Sequence, residues 1–403
     1  MSRPSDRSVT GLLAVALVSI AMLMASLGQM VVGALAPLLR EDLRLSAADI
    51  GLLGTTMFGA AAAWSLVAGR LTDRFGGRSQ IVALYLLVAG SLGLMAAARS
   101  AVTLFAAMVL GGLALASQNP ATNQLIARYA PLDVQPRLLA TKQTGAQLAG
   151  VVAGILPAAA VLTGWRVPLV LLAAAAAMLA VISHRWLPSD SGGWQRGVAV
   201  PSGPRPSLQR PLTLFAALMG TGVGASVTYL PLYAFDALSL SASLAGNVLA
   251  YLAVVGALAL LPWVRFAARI GAPSLVLTLM AGLAAVAIAV ILAASQIAGW
   301  LLWPGLTLLG MTYTTWLAVA MLAIVRARPR EGSGRLSGVV LIGFFTGMTL
   351  GPATFGQLVH RASYGVALLL VSALFAVGAG VAALSHRQVV ARDVDTTPPA
   401  PQM

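Results

Sequence analysis

Of 403 residues, 59% are hydrophobic and only 9% are charged, against about 25% charged in an ordinary soluble domain, and a water-soluble globule of this size cannot bury that much apolar surface. A polytopic membrane protein is therefore the expectation, and a large soluble helical protein is set aside. The formal charge of +14 does not indicate nucleic acid, because the basic residues stand in small groups in short connections with no basic stripe and no interleaved aromatics, and the absence of cysteine removes disulfides, thiolate nucleophiles and cysteine metal sites.

The first apolar run starts at Gly11 and exceeds the hydrophobic stretch of a cleaved signal peptide, so it reads as a membrane helix. Punctuation by charge, proline and glycine gives twelve apolar segments: 11–38, 46–69, 79–98, 101–127, 138–162, 166–187, 211–235, 243–268, 273–295, 299–326, 335–359 and 363–385. Each is long enough for a bilayer crossing of about 20 residues. Nineteen of the 25 basic residues fall in connections on one side and five on the other, with Lys142 left over. That asymmetry predicts cytoplasmic N- and C-termini and an even number of crossings. Residues 188–210, rich in Pro, Gly, Ser and Arg, read as a cytoplasmic linker. The expected organisation is an N-terminal six-helix bundle (1–187), the linker, a C-terminal six-helix bundle (211–386) and a disordered cytoplasmic tail (387–403), set in a plasma membrane, here a bacterial inner membrane.

Between the second and third segments lies Gly69-Arg70-Leu71-Thr72-Asp73-Arg74-Phe75-Gly76-Gly77-Arg78, a tight, positively charged joint between antiparallel neighbours. It resembles the signature loop of the major facilitator superfamily, G-x-L-x-D-R-x-G-R-(R/K), with Gly77 pushing the last basic residue to Arg78. Offset by 195 residues, Val264-Arg265-Phe266-Ala267-Ala268-Arg269-Ile270-Gly271 repeats the Arg, Arg and Gly of this joint and has Ala268 where the first copy has Asp73. Parallel six-helix repeats are the construction of that superfamily. The resemblance implies an all-α membrane protein of twelve transmembrane helices in two six-helix bundles. It also implies conformational gating by Gly69, Asp73, Arg74, Gly76, Arg78 and Arg128. Asp73 would stabilise one state through Arg128 or Arg335 and the partially positive N-terminus of the eleventh helix. Asn119-Pro120 through Lys142-Gln143-Thr144-Gly145 is similar to a generic prokaryotic subset of the family. The sequence departs from the family at the arginine usual in the fourth helix, where Ala107 and Met108 stand. Gly145, Gly150, Gly154 and Pro157 resemble a degenerate antiporter signature, which close helix packing explains equally well.

The chemistry-bearing residues argue against an enzyme. His184, His360 and His386 lie at helix ends, and no H-E-x-x-H, paired carboxylates or Walker loop occurs; no cofactor and no metal is expected. None of the eleven acidic residues falls in mid-span, where a proton-coupled carrier usually keeps a titrating group. Asp49 and Asp236, near outer helix ends, read as solvated caps. Facilitated diffusion or exchange gains weight, and symport with the proton carried on the substrate stays open. Lys142, the sole lysine, sits inside an apolar span five residues past Arg137, about 7.5 Å deeper. Its functional reading is counter-charge to an anionic group; the alternative is snorkelling to the membrane face. Asn119 and Asn123 share one helix face at similar depth, so the expected substrate-binding group is Asn119, Asn123, Lys142, Gln143 and Gln147, with Tyr313 and Trp316 of the tenth span opposite. The competing use of these amides is to hold helices together. Tyr229, Pro231 and Tyr233 suggest an outer gate, with an aromatic belt as the alternative.

The expected function is transport of a small solute, a small organic anion first, by rocker-switch alternating access in a monomer. The alternatives are efflux of lipophilic drug-like compounds and a non-transporting membrane sensor or accessory subunit.

Overall fold

The computed structural model describes residues 4–129, 135–187, 209–327 and 333–395, and these are helical almost throughout. Most of the expected linker (188–208) and the end of the tail (396–403) lie outside them. The helices are α1 (Pro4–Leu43), α2 (Ala47–Ala96), α3 (Ala101–Tyr129), α4 (Gln135–Thr163), α5 (Arg166–Trp186), α6 (Gln209–Asp236), α7 (Ala242–Ile270), α8 (Pro273–Gln296), α9 (Leu302–Thr312), α10 (Trp316–Ala327), α11 (Ser333–Arg361) and α12 (Tyr364–Asp395). Eleven helical stretches are long and apolar enough to cross a membrane, and the first limb of α2, residues 47–75, matches them in length.

At 50 residues, α2 would span about 75 Å if straight, far more than a bilayer. It folds back at Gly76, whose φ of 84° and ψ of 166° are non-helical and open to glycine but not to side-chain-bearing residues. Met57 of the first limb and Ser91 of the second both flank Gly111 of α3, so the limbs lie side by side. The joint expected over 69–78 is thus helix on both sides of a one-residue break. Gly271, its counterpart in the second half, also has positive φ, at 76°. There the break is complete, because Pro273 starts a new helix.

Two other expectations are corrected. The tenth crossing is two helices, α9 and α10, parted at Tyr313–Thr315. The last helix continues to Asp395, beyond the disordered tail expected from 387, because Arg387–Asp395 contains neither proline nor glycine to stop it.

Helices α1–α5 form one bundle and α6–α12 the other. In the first, α2 packs on α3 and α5, and α1 on α4; in the second, α6 packs on α11, and α8 on α12. The glycines of α11 serve that second bundle: a Cβ on Gly351 would come within 3.0 Å of the Ala225 nitrogen on α6. The bundles meet along α1–α6, α2–α11 and α4–α7. Gly154 on α4 allows one such approach, since a Cβ there would lie 2.7 Å from the Ala250 nitrogen on α7.

Among the described residues, several polar contacts cross the seam toward the end opposite the N-terminus. Arg40 pairs with Asp236, which also accepts from the Tyr364 hydroxyl at 2.7 Å. The Tyr229 hydroxyl donates to the Ala47 carbonyl, and Thr55 Oγ1 donates to the Thr349 carbonyl at 2.8 Å. Nearer the other end, Arg70, Arg74, Asn123, Gln143 and Thr144 are exposed. These contacts tie the two halves together at that end.

Candidate substrate site

Pro120 lies inside α3 just after Asn119, and the polar residues Gln118, Asn119, Thr122 and Asn123 follow one another around that stretch. Three of them converge on one cation. Lys142 Nζ donates to Asn119 Oδ1 at 3.2 Å, to Thr122 Oγ1 at 2.9 Å and to Asn123 Oδ1. The lysine is 3% exposed, so its charge is withdrawn from water, and among the described residues no carboxylate pairs with it. Its three donors are matched by three neutral oxygens. Both asparagine oxygens face the ammonium, and among the described residues neither amide nitrogen donates to anything. Asn123 is exposed. The arrangement is a buried positive charge with free N–H donors at its rim.

Around it the first bundle is tied together by further polar contacts. Ser26 Oγ donates to Gln118 Oε1 at 3.2 Å, Thr122 Oγ1 donates to the Gln118 carbonyl at 2.6 Å, and the Tyr85 hydroxyl donates to the Leu17 carbonyl at 2.9 Å.

The remaining expected site residues separate. Gln143 is exposed beside the lysine. Gln147 is five residues on, hence about 140° round the helix at 100° per residue, and turns away from Lys142. Its Nε2 donates to Thr314 Oγ1 at 3.0 Å, across the seam to the break between α9 and α10. Tyr313 and Trp316, which flank that threonine, face into the second bundle instead. Trp316 is fully buried, donates Nε1 to the Tyr313 carbonyl at 3.1 Å and meets the Phe215 and Phe344 rings edge-on at 5.4 and 5.6 Å. At i and i+3 they do share a face, but that face belongs to the core of their own bundle.

Of the expected gating residues, Gly69 and Gly76 lie on α2 as described. Arg74 is exposed, its guanidinium 5.2 Å from the Phe75 ring centre. Arg78 donates to the His184 carbonyl and so ties the joint to α5. The side chains of Asp73, Arg128 and Arg335 lie outside the described residues.

Sequence reasoning did not find Thr122, Thr314, or the Arg40–Asp236–Tyr364 group. For the last a signal existed. Arg40 and Asp236 are 196 residues apart, close to the 195-residue offset of the two joints, so the repeat places opposite charges at equivalent helix ends. Asp49 is the third helical residue of α2 rather than its cap, and completes a capping box with the N-cap Ser46: its backbone N–H donates to Ser46 Oγ at 3.1 Å and its carboxylate accepts from the Ser46 N–H at 2.8 Å.

The family model of the Major Facilitator Superfamily matches residues 18–352, most of the chain and both bundles. The chain belongs to the major facilitator superfamily. It is therefore a membrane transporter of small solutes and not an enzyme. The cis,cis-muconate transport protein of Acinetobacter baylyi (strain ATCC 33305 / BD413 / ADP1) is 26% identical over 165 residues, 41% of this chain. That match spans only 40% of the relative's length. Among solved structures, a bacterial homologue of the human lysosomal transporter Spinster, inward-facing and occupied, superposes with a TM-score of 0.78 at 16% identity over 99% of this chain and 100% of its own. A D-xylose–proton symporter gives 0.71 at 14% identity, covering 91% and 96%. At these identities the likeness is one of fold.

Proposed function

We propose that this transporter carries a small organic anion, with Lys142 as its counter-charge, by rocking the two bundles about a site between them. The observation that carries the reading is the buried ammonium of Lys142, paired among the described residues only with neutral oxygens and bordered by the free amide nitrogens of Asn119 and Asn123. A charge held at membrane depth without a counter-ion is costly, and an incoming carboxylate offsets that cost while accepting from the two amides. The cis,cis-muconate relative supports the same class, since muconate is an organic anion.

The seam supports alternating access. The polar latches and the Gly154–Ala250 approach hold one end shut, and we read the exposure of Arg70, Arg74, Asn123 and Gln143 as an open end opposite it. The basic residues concentrate at the open end, so the positive-inside asymmetry makes that end cytoplasmic. The structure is then the inward-facing state, in the inner membrane of a bacterium, with both termini in the cytoplasm. Because the chain carries both bundles, a monomer suffices.

A second reading has its own observation. All three ammonium donors of Lys142 are already used by α3, as a pure tether between α3 and α4 would require, and efflux of lipophilic compounds would need no more. Thermal unfolding of the detergent-solubilised protein against a panel of carboxylates and lipophilic cations separates the two. A ligand of the folded state raises the melting temperature. The anion reading predicts a carboxylate that stabilises the wild type and not Lys142→Gln, which keeps hydrogen bonding to α3 and removes the charge. Stabilisation by lipophilic compounds alone, unchanged in the variant, would establish the tether and the exporter.

A further inference from the structure

Two glycines of the first bundle bear directly on the second. Gly33 lies on α1, ten residues before its end at Leu43, about 15 Å along the axis. A Cβ there would run into the Val227 carbonyl oxygen of α6 and stand 3.4 Å from the Thr228 Cα. Pro231, inside α6, has no N–H to give the carbonyl four residues before it, so α6 turns a carbonyl without its usual helical donor toward Gly33. Gly51 lies on α2, four residues past Ala47. A Cβ there would run into the Tyr229 hydroxyl and the Pro352 carbonyl oxygen, and stand 3.1 Å from the Pro352 carbonyl carbon. The Tyr229 hydroxyl uses that space to reach the Ala47 carbonyl, and its ring stacks on Phe355 at 4.7 Å. Val227, Thr228, Tyr229 and Tyr233 are all buried, so the tyrosines are not an interfacial belt. One short stretch of α6, with Pro352 of α11 beside it, fits against bare backbone on both α1 and α2.

We propose that Gly33 and Gly51 are the keyways of an outer lock. They admit the Val227–Tyr229 stretch and Pro352 when the outer end closes, and a side chain at either one holds that end open. The inference rests on the alternating-access reading and goes beyond its polar latches, because what closes here is shape rather than charge. Neither position needs glycine for its own helix. The positive-φ glycines are Gly76, Gly164 and Gly271, and alanine is the better helix former. Outside their own helices, the atoms nearest to a Cβ at either position all belong to α6 or α11, so the demand for glycine comes from the other bundle. Gly112 is the contrast. A Cβ there would stand 2.8 Å from Ala60 Cβ and 3.0 Å from the Ala61 nitrogen of α2, an approach inside the first bundle that persists whichever end is open. Release of the lock exposes the Val227 carbonyl and the Tyr229 hydroxyl to water, which satisfies both, so the outer end can part without stranding a polar group.

The test reads accessibility and stability together. The chain has no cysteine, so single reporters can be placed at each end. Thr55→Cys, in the seam beside the Thr349 carbonyl, is labelled from outside intact cells with a membrane-impermeant maleimide. Gln143→Cys, at an exposed position of α4, is labelled in inverted vesicles. Gly33→Ala and Gly51→Ala are each added to both reporters, with Gly112→Ala for comparison. Each of the first two should raise the Thr55→Cys rate by about tenfold or more, the effect of one misfitted carbon, and should lower the Gln143→Cys rate. Their melting temperatures after purification should stay close to that of the parent, whereas that of Gly112→Ala should fall. Thr55→Cys labelling unchanged in both glycine variants, or melting temperatures that fall as far as that of Gly112→Ala, would overturn the lock. A rise at Thr55→Cys with no fall at Gln143→Cys would leave the glycines as the outer closure and remove the coupled rocking of the bundles, so the two failures are told apart.

Discussion

In the first bundle the lysine, two asparagines and a threonine meet between α3 and α4, with two amide nitrogens left free. At the middle of the tenth crossing the second bundle has Tyr313 buried and Trp316 packed against Phe215 and Phe344, and offers the seam the hydroxyl of Thr314. The backbones nevertheless repeat, down to the positive φ of Gly76 and Gly271. The repeat therefore reproduces helices and hinges but not chemistry. On this account the first bundle holds the charged end of the substrate and the second is the wall that moves against it.

That contrast predicts different failures on the two sides. The largest effect on stability should come from Trp316→Ala, which empties the aromatic cluster and should cost about 3–5 kcal/mol. It should appear as a large fall in the melting temperature with or without ligand. Tyr313→Phe, which keeps the ring, should leave the melting temperature nearly unchanged. If Trp316→Ala kept its stability and lost ligand binding, the tryptophan would be a cavity residue and the contrast would be wrong.

The smallest effect should come from the latch. Arg40 and Asp236 are 37% and 24% exposed in their side chains, and such a pair contributes about 0.2–1 kcal/mol. Asp236→Asn should therefore shift the balance between the two end-open states by no more than about fivefold. The chain has no cysteine, so the labelling rate of Thr55→Cys, placed in the seam, reports opening at that end. A shift of a hundredfold would make the latch, rather than the packing of α4 on α7, the principal lock.

Much of this was legible in the sequence. Bilayer thickness fixes the length of an apolar run, so the membrane-length helices follow from the order of apolar and charged residues. The i, i+4 spacing of Asn119 and Asn123 correctly put them on one face with Lys142. The helical angle turns Gln147 away from Lys142, and it meets Thr314 instead. The break in the tenth crossing carries no proline or glycine at 312–316. Its signal was the run of threonines, whose hydroxyls compete for helix carbonyls; Thr315 takes the Met311 carbonyl at 2.6 Å. Tyr313 and Trp316 were read as cavity residues because periodicity reports a shared face but not which neighbour that face meets.

The most direct test of the central claim is counterflow of a labelled carboxylate in proteoliposomes, with wild type and Lys142→Gln reconstituted at equal density. A lost buried ion pair weakens binding by 3–5 kcal/mol, so the account predicts accumulation in wild type and a fall of at least about a hundredfold in the variant. Equal counterflow in both would mean that Lys142 only joins two helices and that the anion is held elsewhere.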